Sequence, residues 1–527
     1  MTTLRTLTVV AVSLACSITV WARPTRVRSE FQVNTYTTDY QVGPSVFVAG
    51  NGDFVVAWTS CCQQDGLESG VFARRYDSSG VALDTTDFQI NVHTTSSQRN
   101  PSVGIAGNGD FVVTWQSYDQ DGSLDGIFAR RFASTGAPLD ATEFQVNTYT
   151  TFSQHRPSVS VTPSGDFVVT WESQAQDGSS GGIFARRYDS SGVALDGADF
   201  QVNTHTLGYQ FGPEVRLDGA GGFAVSWGSH DGDGTGIFAR RFASTGAALD
   251  ATDFQVNTYT SGFQFSPSIG FAPSGDFVVA WTSDFQDGSG YGIFARRYES
   301  SGAALDATEF QINSYTMGSQ AYPSVSVAES GDFLVAWGGA YRIFGQPVGI
   351  SARRFDNTGT AMDRTEFRVS KHSSSSRFDP AVGVSGSGDF VVTWWDASGQ
   401  DGSDSGIFAR QFKFVHLTNP LDGGEVDCRR PGLPSSRPLV LWDRGDYDRF
   451  RVEISWDPAF TKIEQITSGD DLLRRSWWRP EADEWRRFCN NEGGDAFIRV
   501  FGVDLQRGKN HPLRKTFSNE VTASVLN

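Results

Sequence analysis

Two apolar patterns alternate along most of this chain. Phe277–Ser283 (FVVAWTS) is almost continuously apolar, as a strand buried on both faces should be. It sits inside a unit that runs Pro267–Asn313 and divides into four short strands. PSIGFA is the first, FVVAWTS the second, IFARRY the third and FQIN the fourth. Pro-Ser-Gly-Asp forms the turn between the first two, built of residues that turns require. QDGSGYG makes the loop from second to third, and ESSGAALDATE the connection from third to fourth.

The unit recurs. The tryptophan that ends Gly-Asp-Phe-Val-Val-x-Trp returns at Trp58, Trp115, Trp171, Trp227, Trp281, Trp337 and Trp394, 54 to 57 residues apart. Fourth-type strands begin at Phe31, Phe88, Phe144, Phe200, Phe254, Phe310 and Phe367, and the last third-type strand is Ile407–Phe412. The first fourth-type strand therefore precedes the first unit, and the last unit lacks one of its own. Both counts are satisfied if Phe31–Asn34 completes the last unit, closing a ring that leaves no sheet edge exposed. The expected fold is all-β: a seven-bladed β-propeller over residues 31–413, four antiparallel strands per blade, with the N-terminal strand closing the last blade. An open solenoid would need capping repeats of altered sequence, and neither end repeat reads as one. From about His416 the texture changes. LVLWD, FRVEISWD and AFIRVFGVD alternate apolar and polar residues, predicting a β-sandwich over residues 416–527.

Composition narrows the function. A net charge of −17 argues against nucleic acid, whose phosphates demand a basic face, and against anionic membranes. Residues 1–22 read as a secretory signal: Arg5, an apolar run Leu7–Val20, and small residues flanking Trp21 before cleavage after Ala22. Cys16 follows Leu14-Ala15, so a lipoprotein signal is the alternative. No other segment is apolar enough to insert in a membrane. In an oxidising compartment Cys428 and Cys489 are the expected disulfide, closing a loop of about 60 residues worth roughly 4 kcal/mol. Adjacent Cys61 and Cys62 are either a vicinal disulfide or a chance pair in a loop.

The phrases QDGSGYGIFARRY and FQVNTYT resemble repeats of large secreted bacterial adhesin-like proteins, over about residues 31–412. The resemblance implies a bacterial extracellular or cell-surface setting and adhesion, and it brings no catalytic residues. The tandem calcium-binding nonapeptides that flank such repeats are absent from the sequence. The tail resembles a fibronectin type III or immunoglobulin-like module. Ser164–Trp171 is similar to a sialidase Asp-box, with Val168 in place of its glycine. Calcium is weakly supported: Asp231 and Asp233 come nearest to an integrin-type calcium loop, with too few carboxylates for the ion's oxygen shell.

Two polar segments converge on one face in a four-stranded blade. The crossover after the fourth strand places Tyr36, His93, Tyr149, His205, Tyr259, Tyr315 and His372 at one equivalent position. Gln41, Gln98, Gln154, Gln210, Gln264 and Gln320 follow, with Arg377 in the seventh copy. The loop from second to third strand carries Asp65, Asp121, Asp177, Asp231, Asp287 and Asp401. Aromatic faces, amides and carboxylates suit sugars; equally, Asp-Gly makes turns, and Tyr and Gln tie down long loops. Paired arginines such as Arg74-Arg75 are expected to bind the Gly-Asp-Phe aspartates, Asp53 among them. Symmetry breaks most in the sixth repeat, at Ala340–Pro347. No catalytic motif or metal spacing stands out. The expectation is a monomeric, non-enzymatic binding or adhesion protein with a glycan or cell-surface ligand. A glycan-acting hydrolase with its site near the sixth loop is the alternative, and a purely structural surface protein the third reading.

Overall fold

The computed structural model describes residues 29–413 apart from 67, 233, 341–348, 364 and 372–376, together with short strands at residues 21–26 and 440–525. The chain divides into two compact units, one of which spans Arg26–Phe414. Among the described residues that unit repeats an antiparallel sheet of one four-strand order, the fourth and fifth copies being joined by a short parallel pairing of Gly234–Thr235 with Gly262–Phe263. The third sheet serves as the type: Gln154–Val161, Phe167–Gln174, Gly181–Tyr188 and Phe200–Gln201. The fourth strand of the seventh sheet is Phe31–Gln32, with Phe31 opposite Ala409, the register Phe200 takes with Ala185 in the third. First strands touch in cyclic order, the seventh (Arg377–Val384) packing on the first (Gln41–Val48). The architecture is a β-propeller of repeated four-stranded sheets.

The sequence explains this packing. Second strands such as Phe54–Ser60 are buried at every position, because each sheet is covered by a neighbour on both faces. All seven repeat tryptophans are at most 1 % exposed. In each sheet a second-strand Phe stacks on the Phe or Tyr ending the third strand, as Phe167 does on Tyr188 at 4.8 Å.

Neighbouring sheets are stitched by the paired arginines. The first of each pair donates to a carbonyl of the preceding sheet, as Arg186 does to Val146 at 2.9 Å, and lies over its own strand's aromatic ring. The second forms an ion pair with an aspartate nine residues on and, from the first sheet to the fifth, donates to the following sheet. Arg187 pairs with Asp196 at 2.5 Å and reaches the Ser244 carbonyl at 2.7 Å. This corrects the sequence expectation. The Gly-Asp-Phe aspartates Asp53, Asp110, Asp166, Asp276 and Asp332 instead accept backbone N–H groups about 25 residues on, from Ser78 to Asn357. The reason is local: the aspartate caps its own sheet's next turn, while Asp196 and its equivalents meet the arginine on the adjoining edge. In the seventh sheet Gln411 replaces the second arginine and donates to Ser78 of the first.

Cys61 and Cys62 are bonded as a vicinal disulfide. In the other unit the antiparallel strands Ile466–Thr467, Arg449–Ser455, Ala496–Leu505, Lys515–Val525 and Trp21–Ala22 lie side by side in that order, and Val440–Leu441 pairs with Trp477–Trp478. Cys428 and Cys489 lie outside the described residues.

Candidate functional site

First strands begin opposite the ends of second strands, Gln154 facing Ser173, so crossovers and second-to-third loops share one face. The recurring polar residues predicted there are framework. Gln41, Gln98, Gln154, Gln210 and Gln264 are wholly buried and Gln320 is nearly so. Each donates to a crossover carbonyl, as Gln154 does to Thr151 at 3.0 Å, and accepts the amide of the preceding asparagine. A surface ligand does not meet them. The residues Tyr36, His93, Tyr149, His205, Tyr259 and Tyr315 are half-buried to exposed. Their backbone N–H groups are held by Asp87, Glu143, Asp199, Asp253, Glu309 and Glu366 of the next repeat. Asp121, Asp287 and Asp401 accept from the asparagines of the same network. Asp231 accepts from Gln255, while Asp233, His372 and 341–348 of the sixth loop lie outside the described residues. Among the described residues no group of three His, Cys, Asp or Glu side chains is placed to hold a metal.

What varies from repeat to repeat lies nearer the axis that the first strands surround. Each first strand carries a bulge. There, Gly43, Asn100, Arg156, Gly212, Ser266, Tyr322 and Asp379 take left-handed backbone with φ from 48° to 62°. Bulges re-aim side chains and cluster beside active sites. In four of the sheets the N–H of the bulge residue donates to the side chain following the repeat tryptophan of the preceding sheet. Asn100 donates to Thr59 at 3.1 Å, Arg156 to Gln116 at 3.1 Å, Gly212 to Glu172 at 3.3 Å and Tyr322 to Thr282 at 3.0 Å. An uncharged acceptor suffices in three of those four places.

Glu172 is the exception. Its side chain is fully buried. Oε1 accepts His155 Nε2 at 2.8 Å and the Tyr209 hydroxyl; Oε2 takes the Gly212 N–H and faces Arg156 Nη1 at 3.6 Å. His155 Nε2 is also 3.4 Å from the Tyr209 oxygen. The fold builds the cluster from three places. His155 and Glu172 are cross-strand partners, Arg156 is the third sheet's bulge residue, and Tyr209 reaches in from the crossover before the fourth sheet. Gly181 admits the Tyr209 ring: a Cβ there would lie 2.7 Å from it. Beside this cluster Asn100 donates to Gln116 at 2.8 Å, Gln116 to Asp125 at 3.3 Å, and Arg99 contacts both oxygens of Asp125 at 3.2 Å.

The rest of the ring is aromatic. Tyr209 stacks on Phe211, whose ring fills the space a side chain at Gly228 would need. Phe265 meets Tyr291 at 5.2 Å and Tyr322 at 6.3 Å, edge to face. Phe378 lies 4.6 Å from Trp395, whose Nε1–H donates to Asp379 at 3.0 Å. The Asp379 carboxyl keeps solvent contact yet sits deep among protein atoms. That desolvation holds it above the usual carboxylate range, against the opposing Trp395 bond. The second and third sheets thus present an ionic arc, and the fourth to seventh an aromatic one.

Sequence reasoning looked for function among the recurring residues and in the sixth loop, and missed this ring. The signal was available: within near-identical repeats, the residues beside the glutamine and after the tryptophan change chemistry from copy to copy.

No family model and no curated protein matches the chain. Solved structures similar to it include the polysaccharide lyase PL25 ulvan lyase, 11 % identical, with a TM-score of 0.49 over 72 % of this chain and 95 % of the other. An α-L-arabinanase of Penicillium chrysogenum is 12 % identical, with a TM-score of 0.41 over 75 % and 98 %. The β-propeller domain of the Trilobed protease of Pyrococcus furiosus is 7 % identical, with a TM-score of 0.42 over 74 % and 99 %. These likenesses concern fold. Against the expectation of a non-enzymatic binding or adhesion protein stand the names of two of these three, a lyase and an arabinanase that act on glycans.

Proposed function

We propose that this chain is a secreted glycan-cleaving enzyme on a closed seven-bladed propeller, with proton transfer at His155, oriented by Glu172 and Tyr209. Closure is supported by the seam bonds: Val33 N–H to Ile407 O at 2.8 Å, Ile407 N–H to Asn34 Oδ1 at 2.8 Å, and Gln411 to Ser78. The catalytic reading rests on buried Glu172. Placing a carboxylate out of water costs several kcal/mol, and equivalent sheets perform the scaffold task with Thr59, Gln116 and Thr282 instead. A carboxylate that holds one imidazole nitrogen fixes the ring's tautomer, leaving Nδ1 to exchange a proton with a substrate. The aromatic arc offers ring faces for sugars to stack on.

The test is release of reducing ends from neutral and acidic polysaccharides by the wild type, Glu172→Gln and His155→Asn. General acid–base groups contribute about 10²- to 10⁴-fold, so both variants lose at least about 100-fold in kcat while still unfolding cooperatively in urea, which shows that they fold. Full turnover by either variant refutes the assignment.

A further inference from the structure

The site's charges are arranged in depth. The anions lie behind: Glu172 is fully buried, and the Asp125 side chain is 10 % exposed. The cations face out, with 44 % of the Arg99 side chain and 56 % of Arg156 exposed, and 22 % of His155. A chain of net charge −17 therefore presents a cationic patch beside its proton-transfer group. Arg156 meets only one edge of Glu172, at 3.6 Å, so its guanidinium fork remains available. Its left-handed backbone is pinned by Gln116, and its side chain stands on the same ring of bulges as the aromatic arc.

We infer that the substrate is an acidic polysaccharide bearing uronate residues, and that Arg156, with Arg99, receives the sugar carboxylate so that His155 cleaves by elimination. This inference rests on the glycan-cleaving reading. Pairing the carboxylate with a guanidinium lowers the cost of charge developing beside it when its α-carbon loses a proton. His155 Nδ1 accepts that proton. The freed electron pair forms a double bond between the α- and β-carbons, the bond from the β-carbon to the glycosidic oxygen breaks, and that oxygen takes the proton back from His155. No water, oxidant or metal is consumed. A hydrolytic site instead needs two carboxyl groups free to act, roughly 5–10 Å apart; here Glu172 and Asp125 are both occupied.

The experiment offers the full chain polygalacturonate, alginate and chondroitin sulfate, their carboxyl-reduced counterparts, and the sulfated neutral polymer carrageenan. Ultraviolet absorbance of unsaturated uronate ends is read beside total reducing ends. Expected is absorbance matching the reducing ends on at least one uronate polymer, and none on its carboxyl-reduced form. Arg156→Asn, which places at this bulge the residue found at Asn100, lowers kcat/KM on that polymer about 10- to 100-fold. Arg156→Lys restores part of it. Reducing ends without absorbance, or cleavage only of reduced, neutral or sulfated neutral polymers, overturns the inference while the glycan-cleaving reading stands. Unchanged kcat/KM in Arg156→Asn also overturns it. Cleavage of none of these polymers overturns the inference, and no release from the neutral polysaccharides either overturns both.

Discussion

Replacing Asn34 by Ala is the sharpest probe of how the ring is held shut. Asn34 is 2 % exposed and lies 373 residues from its partner Ile407. Its Oδ1 accepts the Ile407 N–H at 2.8 Å, and its amide donates to the Tyr36 carbonyl at 2.8 Å and to Gln41 Oε1 at 3.1 Å. Truncation orphans the N–H of fully buried Ile407 and the acceptor of fully buried Gln41. Each buried orphan costs about 1–3 kcal/mol, so the loss is about 2–4 kcal/mol once water partly relieves one of them. Asn147 is the internal control. It makes the same three bonds inside the chain, to Ile127 N–H at 2.7 Å, the Tyr149 carbonyl at 2.8 Å and Gln154 at 3.0 Å. Urea unfolding followed by the fluorescence of the buried tryptophans compares the two. In a closed ring both substitutions lower the midpoint equally with unchanged slope. If Asn34→Ala shifts stability by less than about 0.5 kcal/mol while Asn147→Ala destabilises, the seam carries no load and the closure reasoning fails.

Other outcomes follow from the same contacts. Arg187→Lys keeps the charge but cannot fork between Asp196 and the Ser244 carbonyl, and lowers stability by about 1–2 kcal/mol in urea unfolding. Gly181→Ala drives a Cβ into the Tyr209 ring, costing about 1–3 kcal/mol and reducing turnover more than it reduces melting stability; unchanged turnover would show that Tyr209 has no part in the reaction. Burial pushes Tyr298 up to about 12, so its stabilisation is intact below the unfolded value near 10 and lost as pH rises to 12. Tyr298→Phe therefore flattens the alkaline loss at a cost of about 1 kcal/mol at neutral pH, because the bond to Val256 is lost. The Asp379 carboxyl is likewise raised, so its contribution is complete below about pH 4 and lost as pH rises through the folded value. Asp379→Asn gains on the wild type across that window, and parallel stability curves from pH 3.5 to about 7 would contradict this.

Much of the fold was legible because the repeat states it seven times. The continuous apolar run before each tryptophan predicts a strand covered on both sides, and it is buried throughout in Phe54–Ser60. The displaced strand at Phe31 was readable as an arithmetic remainder, and it pairs with Gly406–Lys413. The partner of the second arginine was not. Arg187 has aspartates at several spacings, and only the folded arrangement gives it Asp196 while Asp166 takes the Ser190 N–H.

The site divides in the same way. Sequence by itself determined the residue types: a histidine and an arginine in the third repeat's first strand, a glutamate after Trp171, a tyrosine before Gln210. Periodicity also placed each at an element end on one face. Only the tertiary structure decided that they meet. Glu172 and His155 are 17 residues apart and Tyr209 is 37 beyond Glu172, and their convergence depends on a one-residue bulge that no apolar pattern encodes. The bulge gives Arg156 its left-handed backbone, and the cyclic contact of the first strands sets the ionic and aromatic arcs on one ring. Local sequence sets which side chain stands at a position; the geometry of neighbouring sheets, fixed by burial around a common axis, sets what it faces.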